Sequence, residues 1–236
     1  MRRQLCTSSL LLALFVGVGC VAAPTDEASP TVASEPTGVA PPPFVPPAQG
    51  ADEPRDPLRT WVVLLGTGTP GSEPDRFGPS TAIVAGGNAY VIDAGPGVVR
   101  RAAAGAIVSG LTALQPANLR VAFFTHLHSD HTLGYPDLIL SPWVLGRSEP
   151  LRAYGPPGLE AMTTALLEAY REDIRARVEG PEQLRRDFLD VQTHEVEPGL
   201  IYDDDVLRVE AFAVPHGTWD HAYGFKLMTA DRTVVI

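Results

Sequence analysis

His126-Leu127-His128-Ser129-Asp130-His131 places three imidazoles and one carboxylate within six residues, a density that packing rarely requires. Neutral imidazole nitrogens and carboxylate oxygens are ligands that zinc accepts at about 2.0–2.2 Å. The preceding apolar run, residues 121–124, predicts a buried strand, so the motif lies where a strand ends and the chain turns. We therefore predict a metal site rather than a solvated polar loop.

The spacing within the motif divides its ligands into two groups. His126 and His128 are two residues apart and share one face of an extended chain. Asp130 and His131 follow as the chain bends, and they can serve a second ion beside the first. A third nitrogen for the first ion is expected from His216, which follows a predicted strand over residues 207–214 and lies between Pro215 and Gly217.

Three further polar residues were assessed for a role at this site. Asp93 ends a predicted strand directly before a tight turn, where it can cap the next helix, orient a histidine ligand, or do both. His221 either forms a hydrogen bond within its own loop or lines a substrate pocket. His194 lies between Thr193 and Glu195 and is expected at a solvated strand position.

Hydrophobic patterns predict the remaining elements. Strands are expected over residues 61–65, 81–84, 89–92 and 150–157, with a hairpin at 86–88, and helices over 98–108 and 133–140. An apolar stripe from Leu159 to Val178 that includes Tyr170 predicts one amphipathic helix packed on the core.

Residues 66–71 match the G-x-G-x-x-G pattern of dinucleotide-binding folds, but prolines at 70, 74 and 79 prevent the helix that such a site needs. A nucleotide cofactor is therefore not expected. The glycines are instead predicted to let the backbone pass close to the metal site.

The N-terminal region predicts export. Arg2 and Arg3 precede an apolar stretch over residues 10–18, which is too short to span a membrane and is typical of a signal peptide. Residues 1–20 are predicted to be this signal, of the lipoprotein type, with Cys20 lipidated. Cys6 lies inside the signal, so no internal disulfide is expected in the mature protein.

Residues 21–57 are rich in proline, alanine and acidic side chains and predict a disordered tether to a membrane surface. Residues 58–236 are long enough for one globular domain with a substantial core. The whole chain has a formal net charge of −10, which argues against a broad nucleic-acid-binding surface.

The metal-site motif and four other segments together resemble the metallo-β-lactamase fold superfamily, and within it the ribonuclease Z-like and arylsulfatase-like hydrolases. The motif has the form H-x-H-x-D-H. The other segments are Leu65-Gly66-Thr67-Gly68, Val91-Ile92-Asp93-Ala94-Gly95, Leu151-Arg152-Ala153-Tyr154-Gly155-Pro156 and Val214-Pro215-His216-Gly217.

The resemblance implies an α/β fold, an αββα sandwich with two zinc ions at one edge, and it is compatible with a dimer. It implies that His126, His128 and His216 hold the first zinc and that Asp130 and His131 hold the second. The long insertion with which bacterial ribonuclease Z grips tRNA has no room between residues 224 and 235. A small or surface-bound ester is therefore the expected substrate, and tRNA is not.

The same resemblance implies that a bridging aspartate and a further histidine follow the apolar run at residues 233–236. We therefore expect the domain to be incomplete at its C-terminus, with its second half-sandwich unfinished, and its second zinc site to be weak.

The expected chemistry is hydrolysis of a phosphodiester, sulfate or related ester by a metal-bound hydroxide, with Asp130 orienting the nucleophile and managing its proton. Two alternatives remain open. One is a non-catalytic or inactive surface lipoprotein with a partial metal site. The other is an oxygenase of the same fold with a mononuclear iron bound by two histidines and a carboxylate.

Overall fold

A computed structural model describes residues 59–71 and 73–236. The predicted signal peptide, the lipidated Cys20, the tether and the first residue of the predicted domain lie outside the described residues. Within the described part, none of the helices combines the length and the apolar character that a membrane crossing requires.

The described chain forms strands and α-helices joined by short loops and 3-10 turns. The strands are β1 (Trp61–Gly66), β2 (Ser80–Ala85), β3 (Asn88–Ile92), β4 (Leu119–Phe123), β5 (Leu151–Gly155), β6 (Val191–Glu195), β7 (Gly199–Asp203), β8 (Arg208–Ala213), β9 (Tyr223–Met228) and β10 (Thr233–Val235). The helices are α1 (Val98–Ser109), α2 (Ser129–Thr132), α3 (Tyr135–Val144), α4 (Leu159–Ala169) and α5 (Arg171–Glu179).

Two sheets organise these elements. The first has the order β1-β2-β3-β4-β5-β6, antiparallel from β1 to β3 and parallel from β3 to β6. The second is antiparallel with the order β10-β9-β8-β7. Because β3 and β4 are parallel neighbours, with Ile92 opposite Phe123, the segments that follow them emerge at the same edge. This pairing brings Asp93 beside the 126–131 motif.

Successive side chains along a strand point to opposite faces of its sheet, and both faces of the first sheet are buried. In β4, Ala122 faces the helices, whereas Val121 and Phe123 face the second sheet. Phe123 packs against Tyr154 and Phe225, with ring centroids 5.3 and 5.9 Å apart. The layers are thus helix, sheet and sheet. These are three layers of the predicted αββα sandwich, and no α-helix follows β6 among the described residues.

Most predicted elements are present, including the hairpin, where Gly86 and Gly87 have φ of 53° and 78°. The single amphipathic helix over residues 159–178 is wrong. The helix is instead interrupted at Tyr170, between α4 and α5; Leu159 and Ile174 are buried, whereas Tyr170 is 41% exposed. His194 is exposed on β6, as expected, and its ring stacks on Tyr154 at 4.5 Å.

The glycine-rich loop after β1 is followed by β2, with no helix among its described residues, as predicted. Its close contacts are with the chain at residues 77–78. A Cβ on Gly66 would lie 1.9 Å from the carbonyl oxygen of Gly78, and Gly68 N donates to the Phe77 carbonyl at 2.7 Å. The predicted close approach therefore exists, but its partner is this neighbouring loop rather than a metal-site histidine.

A buried arginine bonds to carbonyl groups in the middle of α3 and at Phe188. Arg147 is 1% exposed and donates to the carbonyl oxygens of Leu138 and Ile139, both at 3.0 Å, and to that of Phe188 at 3.4 Å. Leu138 lies four residues before Pro142, which has no N–H, so the Leu138 carbonyl lacks its usual helical donor and Arg147 replaces it. Burial lowers the Arg147 pKa to about 10. No sequence pattern indicates this role, because arginine is usually a surface residue.

Candidate metal centre

His126 and His128 leave the carboxyl end of β4 on one face. The chain stays extended to His128, which has φ −60° and ψ 148° and precedes the first turn of α2. His126 is 6% exposed. Its Nε2 lies 2.9 Å from Nδ1 of His128, so both rings direct a nitrogen to the same point.

The third imidazole comes from the loop between β8 and β9. Nε2 of His216 lies 3.2 Å from His128 Nδ1, although the two residues are 88 positions apart. The loop is closed at its base by Val214 N donating to the Ala222 carbonyl at 2.9 Å. The first ion's three predicted ligands are therefore brought together, with donor atoms within 4.8 Å of one another.

The geometry of the three nitrogens fits a zinc ion. Ligands at 2.0–2.1 Å from a tetrahedral zinc are separated from one another by about 3.3 Å. The distances of 2.9 and 3.2 Å between His128 Nδ1 and its two neighbours are close to this value. The donor set is also one that zinc accepts, since a neutral imidazole has a lone pair on one nitrogen.

Asp93 orients the ligands rather than capping a helix. Its Oδ2 accepts a hydrogen bond from His131 Nδ1 at 2.7 Å, and its Oδ1 accepts one from Thr125 N at 2.8 Å. The N-cap of α1 is Gly97, so the capping role considered for Asp93 is wrong. Asp93 has φ 58°, a left-handed conformation that is uncommon for residues other than glycine but in which aspartate and asparagine are enriched.

Thr125 connects the same carboxylate to His126. Its hydroxyl donates to Asp93, 2.9 Å from Oδ2, and therefore accepts from His126 Nδ1 at 2.9 Å. With its proton on Nδ1, His126 presents the lone pair of Nε2 to the cluster. The sequence analysis missed this residue. The available signal was a hydroxyl side chain immediately before the first histidine of the motif.

Burial and charge act differently on two of the histidines. Burial, followed by the neighbouring His131, His216 and His128, lowers the pKa of His126 to about 4. Burial also opposes the charged form of His131. The hydrogen bond and charge of Asp93 outweigh that effect, with help from Asp130, and raise the His131 pKa. His126 is therefore neutral and available to a metal at any physiological pH.

Asp130 and His131 lie together beside the three-histidine cluster. The α2 turn places Asp130 Oδ2 3.6 Å from His131 Nε2, the nitrogen that does not face Asp93. The ring of His131 lies 4.2 Å from that of His126, centroid to centroid. The structure thus places the second group of predicted ligands next to the first as a carboxylate and imidazole pair.

The β8–β9 loop carries two more candidates. His221 is exposed, and its Nδ1 lies 3.4 Å from the hydroxyl of Tyr223, so its contact is within its own segment. Trp219, which the sequence analysis did not single out, donates from Nε1 to Nε2 of His128. Its ring is nearly perpendicular to that of His128, with centroids 4.8 Å apart.

Backbone contacts fix the two ligand-bearing loops to each other. Ala94 N donates to the His131 carbonyl, and Gly134 N donates to the Ala94 carbonyl, both at 2.8 Å. A Cβ on Gly134 would lie 2.2 Å from the carbonyl oxygen of Gly95. The placement of His131 against Asp93 therefore depends on main-chain contact as well as on the side chains.

This arrangement agrees with a comparison against known families. The sequence profile described as "Metallo-beta-lactamase superfamily" matches residues 74–227. The chain belongs to this superfamily. The α/β fold with its helix and sheet layers, and the metal site predicted from the motif, are consistent with that membership.

Curated relatives place this metallo-β-lactamase superfamily chain near ribonuclease Z. It is 39% identical over 178 residues to ribonuclease Z of Mycobacterium sp. (strain KMS). The matched region covers 74% of this chain and 59% of the relative. It is 35% identical over 178 residues to ribonuclease Z of Mycobacterium marinum, covering 74% and 61%. The chain thus spans about three fifths of these relatives. The predicted resemblance to the metallo-β-lactamase superfamily and to its ribonuclease Z-like members is confirmed.

Solved structures show the same superfamily fold. The short form of human tRNase Z superposes with a TM-score of 0.58 at 22% identity, covering 75% of this chain and 68% of that one. The metallo-β-lactamase fold protein YhfI from Bacillus subtilis superposes with a TM-score of 0.53 at 14% identity, covering 75% and 61%. At these identities the likeness concerns the fold alone.

Proposed function

We propose that this chain belongs to a zinc-dependent hydrolase of the ribonuclease Z type that cleaves a phosphodiester, sulfate or related ester. One observation carries the proposal. Nitrogens of His126, His128 and His216 converge at the edge of the sheet, beside the Asp130–His131 pair, with spacings that suit a tetrahedral ion.

Zinc is favoured over iron by the type of donor. Iron oxygenases use two histidines and one carboxylate with open positions. Here the three donors that converge are all imidazoles, and the nearby carboxylate of Asp130 faces His131 instead. Zinc, when bound, would supply Lewis acidity and a water molecule of lowered pKa.

The protein's own groups have separate tasks in this proposal. Asp93 keeps both His126, through Thr125, and His131 in the tautomer that leaves Nε2 free. Asp130 is the general base candidate, since its carboxylate lies at the site edge and can accept a proton from an attacking water. His221 is proposed to contact the substrate from the exposed β8–β9 loop.

Two features support an ester smaller than tRNA. The net charge of −10 gives no broad cationic surface for a polynucleotide. The segment joining β9 to β10, residues 229–232, is a four-residue turn. The curated relatives are named ribonuclease Z, which favours a phosphodiester within the proposed ester class.

We also propose export, with the chain anchored through a lipid on Cys20 or secreted, and a dimer is compatible with the family resemblance. These proposals depend on the sequence patterns described above. Labelling of Cys20 by a fatty-acid analogue in a bacterial host, with Cys20→Ala as control, would test the anchor.

The second site has few donors. This favours an alternative in which the chain binds metal but does not catalyse a reaction. Asp130 and His131 are two donors, and among the described residues only His126, His128 and His216 form a group of three or more. Two donors hold an ion more weakly than three or four.

Hydrolysis of bis(4-nitrophenyl) phosphate and of 4-nitrophenyl sulfate tests the function. We expect zinc-dependent turnover of at least one ester, lost on chelation and restored by zinc. His128→Ala should reduce it at least about a hundredfold, and His194→Ala, an exposed histidine on β6, should not. Turnover that survives both exhaustive chelation and His128→Ala would refute the proposal. Zinc binding without turnover would favour the non-catalytic alternative.

A further inference from the structure

The hydrogen bonds around His128 run in one direction. Indole is a donor only, so Trp219 Nε1–H must donate to Nε2 of His128. A neutral imidazole has one N–H, which then lies on Nδ1 of His128 and donates to His126 Nε2 at 2.9 Å. His126 Nδ1–H donates to Thr125, and the Thr125 hydroxyl donates to Asp93. Trp219, His128, His126 and Thr125 thus form a chain of hydrogen bonds in which each side chain donates to the next and Asp93 is the final acceptor.

A metal ion at the centre of the three histidines requires the opposite arrangement at His128. Nδ1 is the atom of His128 that lies near both His126 and His216, so it must offer a lone pair to the ion. The proton of His128 then moves to Nε2, where it meets the indole N–H. Two donors cannot share a hydrogen bond, so the contact with Trp219 is lost.

We infer that Trp219 is a positioning residue of the metal centre, whose indole N–H competes with the metal ion for the tautomer of His128. Metal binding releases the indole, and loss of the metal restores its contact. The inference depends on the proposed metal site, because it requires an ion bound through His128 Nδ1.

The surrounding loop permits this movement. Trp219 is 36% exposed, and its backbone contact is with His216, whose carbonyl accepts from Trp219 N at 3.1 Å. Gly217, with φ 57°, allows the tight turn between them. The segment that supplies the third ligand therefore also supplies the competing donor, and Trp219 belongs to the loop rather than to β8 or β9.

Comparison of the wild type with Trp219→Phe and Trp219→Ala separates the effect of the indole N–H from that of the bulky ring. Trp219→Phe keeps an aromatic ring but lacks the donor, and Trp219→Ala lacks both. In chelator-treated protein, long-range proton–nitrogen NMR should show the Nδ1–H tautomer of His128 in the wild type. We expect the Nε2–H tautomer to be populated in both variants.

Zinc titration by calorimetry gives the second readout. Because one neutral hydrogen bond no longer competes, Trp219→Phe should bind the first zinc about twofold to tenfold more tightly than the wild type. Tryptophan emission of the wild type should shift to longer wavelength on zinc addition. Trp61→Phe should retain that shift and Trp219→Phe should lose it.

The outcomes distinguish this inference from the proposed function. Equal zinc affinity in the wild type and Trp219→Phe, with the same His128 tautomer in both, would overturn the role of Trp219 and leave the zinc site intact. Failure of all three proteins to bind zinc would overturn the proposed function, and the inference with it.

Discussion

His131 Nδ1 donates a 2.7 Å hydrogen bond to Asp93 Oδ2, joining residues that follow two different strands and lie 38 positions apart. The parallel pairing of β3 and β4 creates this contact, because both strands end at the same edge. One carboxylate thereby orients His131 directly and His126 through Thr125.

Replacing Asp93 with asparagine should lower the pKa of His131. The side chain keeps its shape but loses the negative charge that, with the hydrogen bond, raises this pKa against the effect of burial. A pH titration of the histidine ring protons by NMR, on chelator-treated protein, measures the change. Asp137→Asn is the control, since Asp137 does not contribute to the shift. A His131 pKa that is the same in Asp93→Asn and wild type would contradict this account.

Stability of the metal-free protein should fall as the pH is lowered from about 6.5 to about 4. Unfolded His126 titrates near 6.5, whereas the folded residue, its pKa lowered by burial, titrates at about 4. In this window the unfolded state binds a proton that the folded state does not, so protonation favours unfolding. His131, whose pKa is raised, acts in the opposite sense: its contribution is present below 6.5 and is lost as the pH rises through its folded pKa.

Urea denaturation at pH 7 and at pH 4.5 measures the effect of His126. His126→Gln, which does not titrate, should show a smaller loss of unfolding free energy between the two pH values, by up to about 3 kcal/mol. Equal losses in the variant and the wild type would show that His126 does not titrate abnormally.

Zinc should bind tightly at one site. His216→Ala should weaken this site at least about a hundredfold, because only two of the three converging nitrogens remain. His131→Ala should change it less, since His131 belongs to the neighbouring pair. Calorimetry with zinc, checked by metal analysis after gel filtration, gives both numbers. Two tight zinc ions per chain would refute the prediction of a weak second site.

Arg147→Met should destabilise the fold by about 2–4 kcal/mol, because buried carbonyls in the middle of α3 and at Phe188 lose their donor. Arg120→Met is the matched control. Arg120 forms a partly exposed ion pair with Glu149 at 2.8 Å and should contribute less than about 1 kcal/mol. Urea denaturation compares the two, and equal losses would show that burial of Arg147 has no special importance.

Local patterns were sufficient to predict much of this fold. The hairpin at Gly86 and Gly87, helix α1 and the strand before the motif follow from residue type and periodicity over a few positions. The break at Tyr170 could not be predicted in this way, since the apolar spacing continues through it. No glycine or proline stands beside Tyr170 to indicate the interruption.

The candidate site was predictable where its chemistry is contiguous. The motif from His126 to His131 contains four of the candidate ligands in one segment, and His216 was predicted from its place at a strand end. Thr125, Trp219 and Arg147 were missed, because their roles depend on partners that the fold brings near. For Asp93 the sequence left two roles open, and only the parallel register of β3 and β4 decides between them.

The main-chain contacts among Ala94, His131, Gly95 and Gly134 bear on how such a protein can diversify. These loops contact each other through their backbones. The distance between His131 and the Asp93 carboxylate should therefore change little when most nearby side chains are replaced. The exposed β8–β9 loop lacks such crowding: a Cβ on Gly217 would meet nothing within 4 Å, and only its φ of 57° favours glycine there. Under the proposed function, we expect new substrate preferences to arise by mutation of that loop, whereas changes at Gly134 would be rejected whatever the substrate.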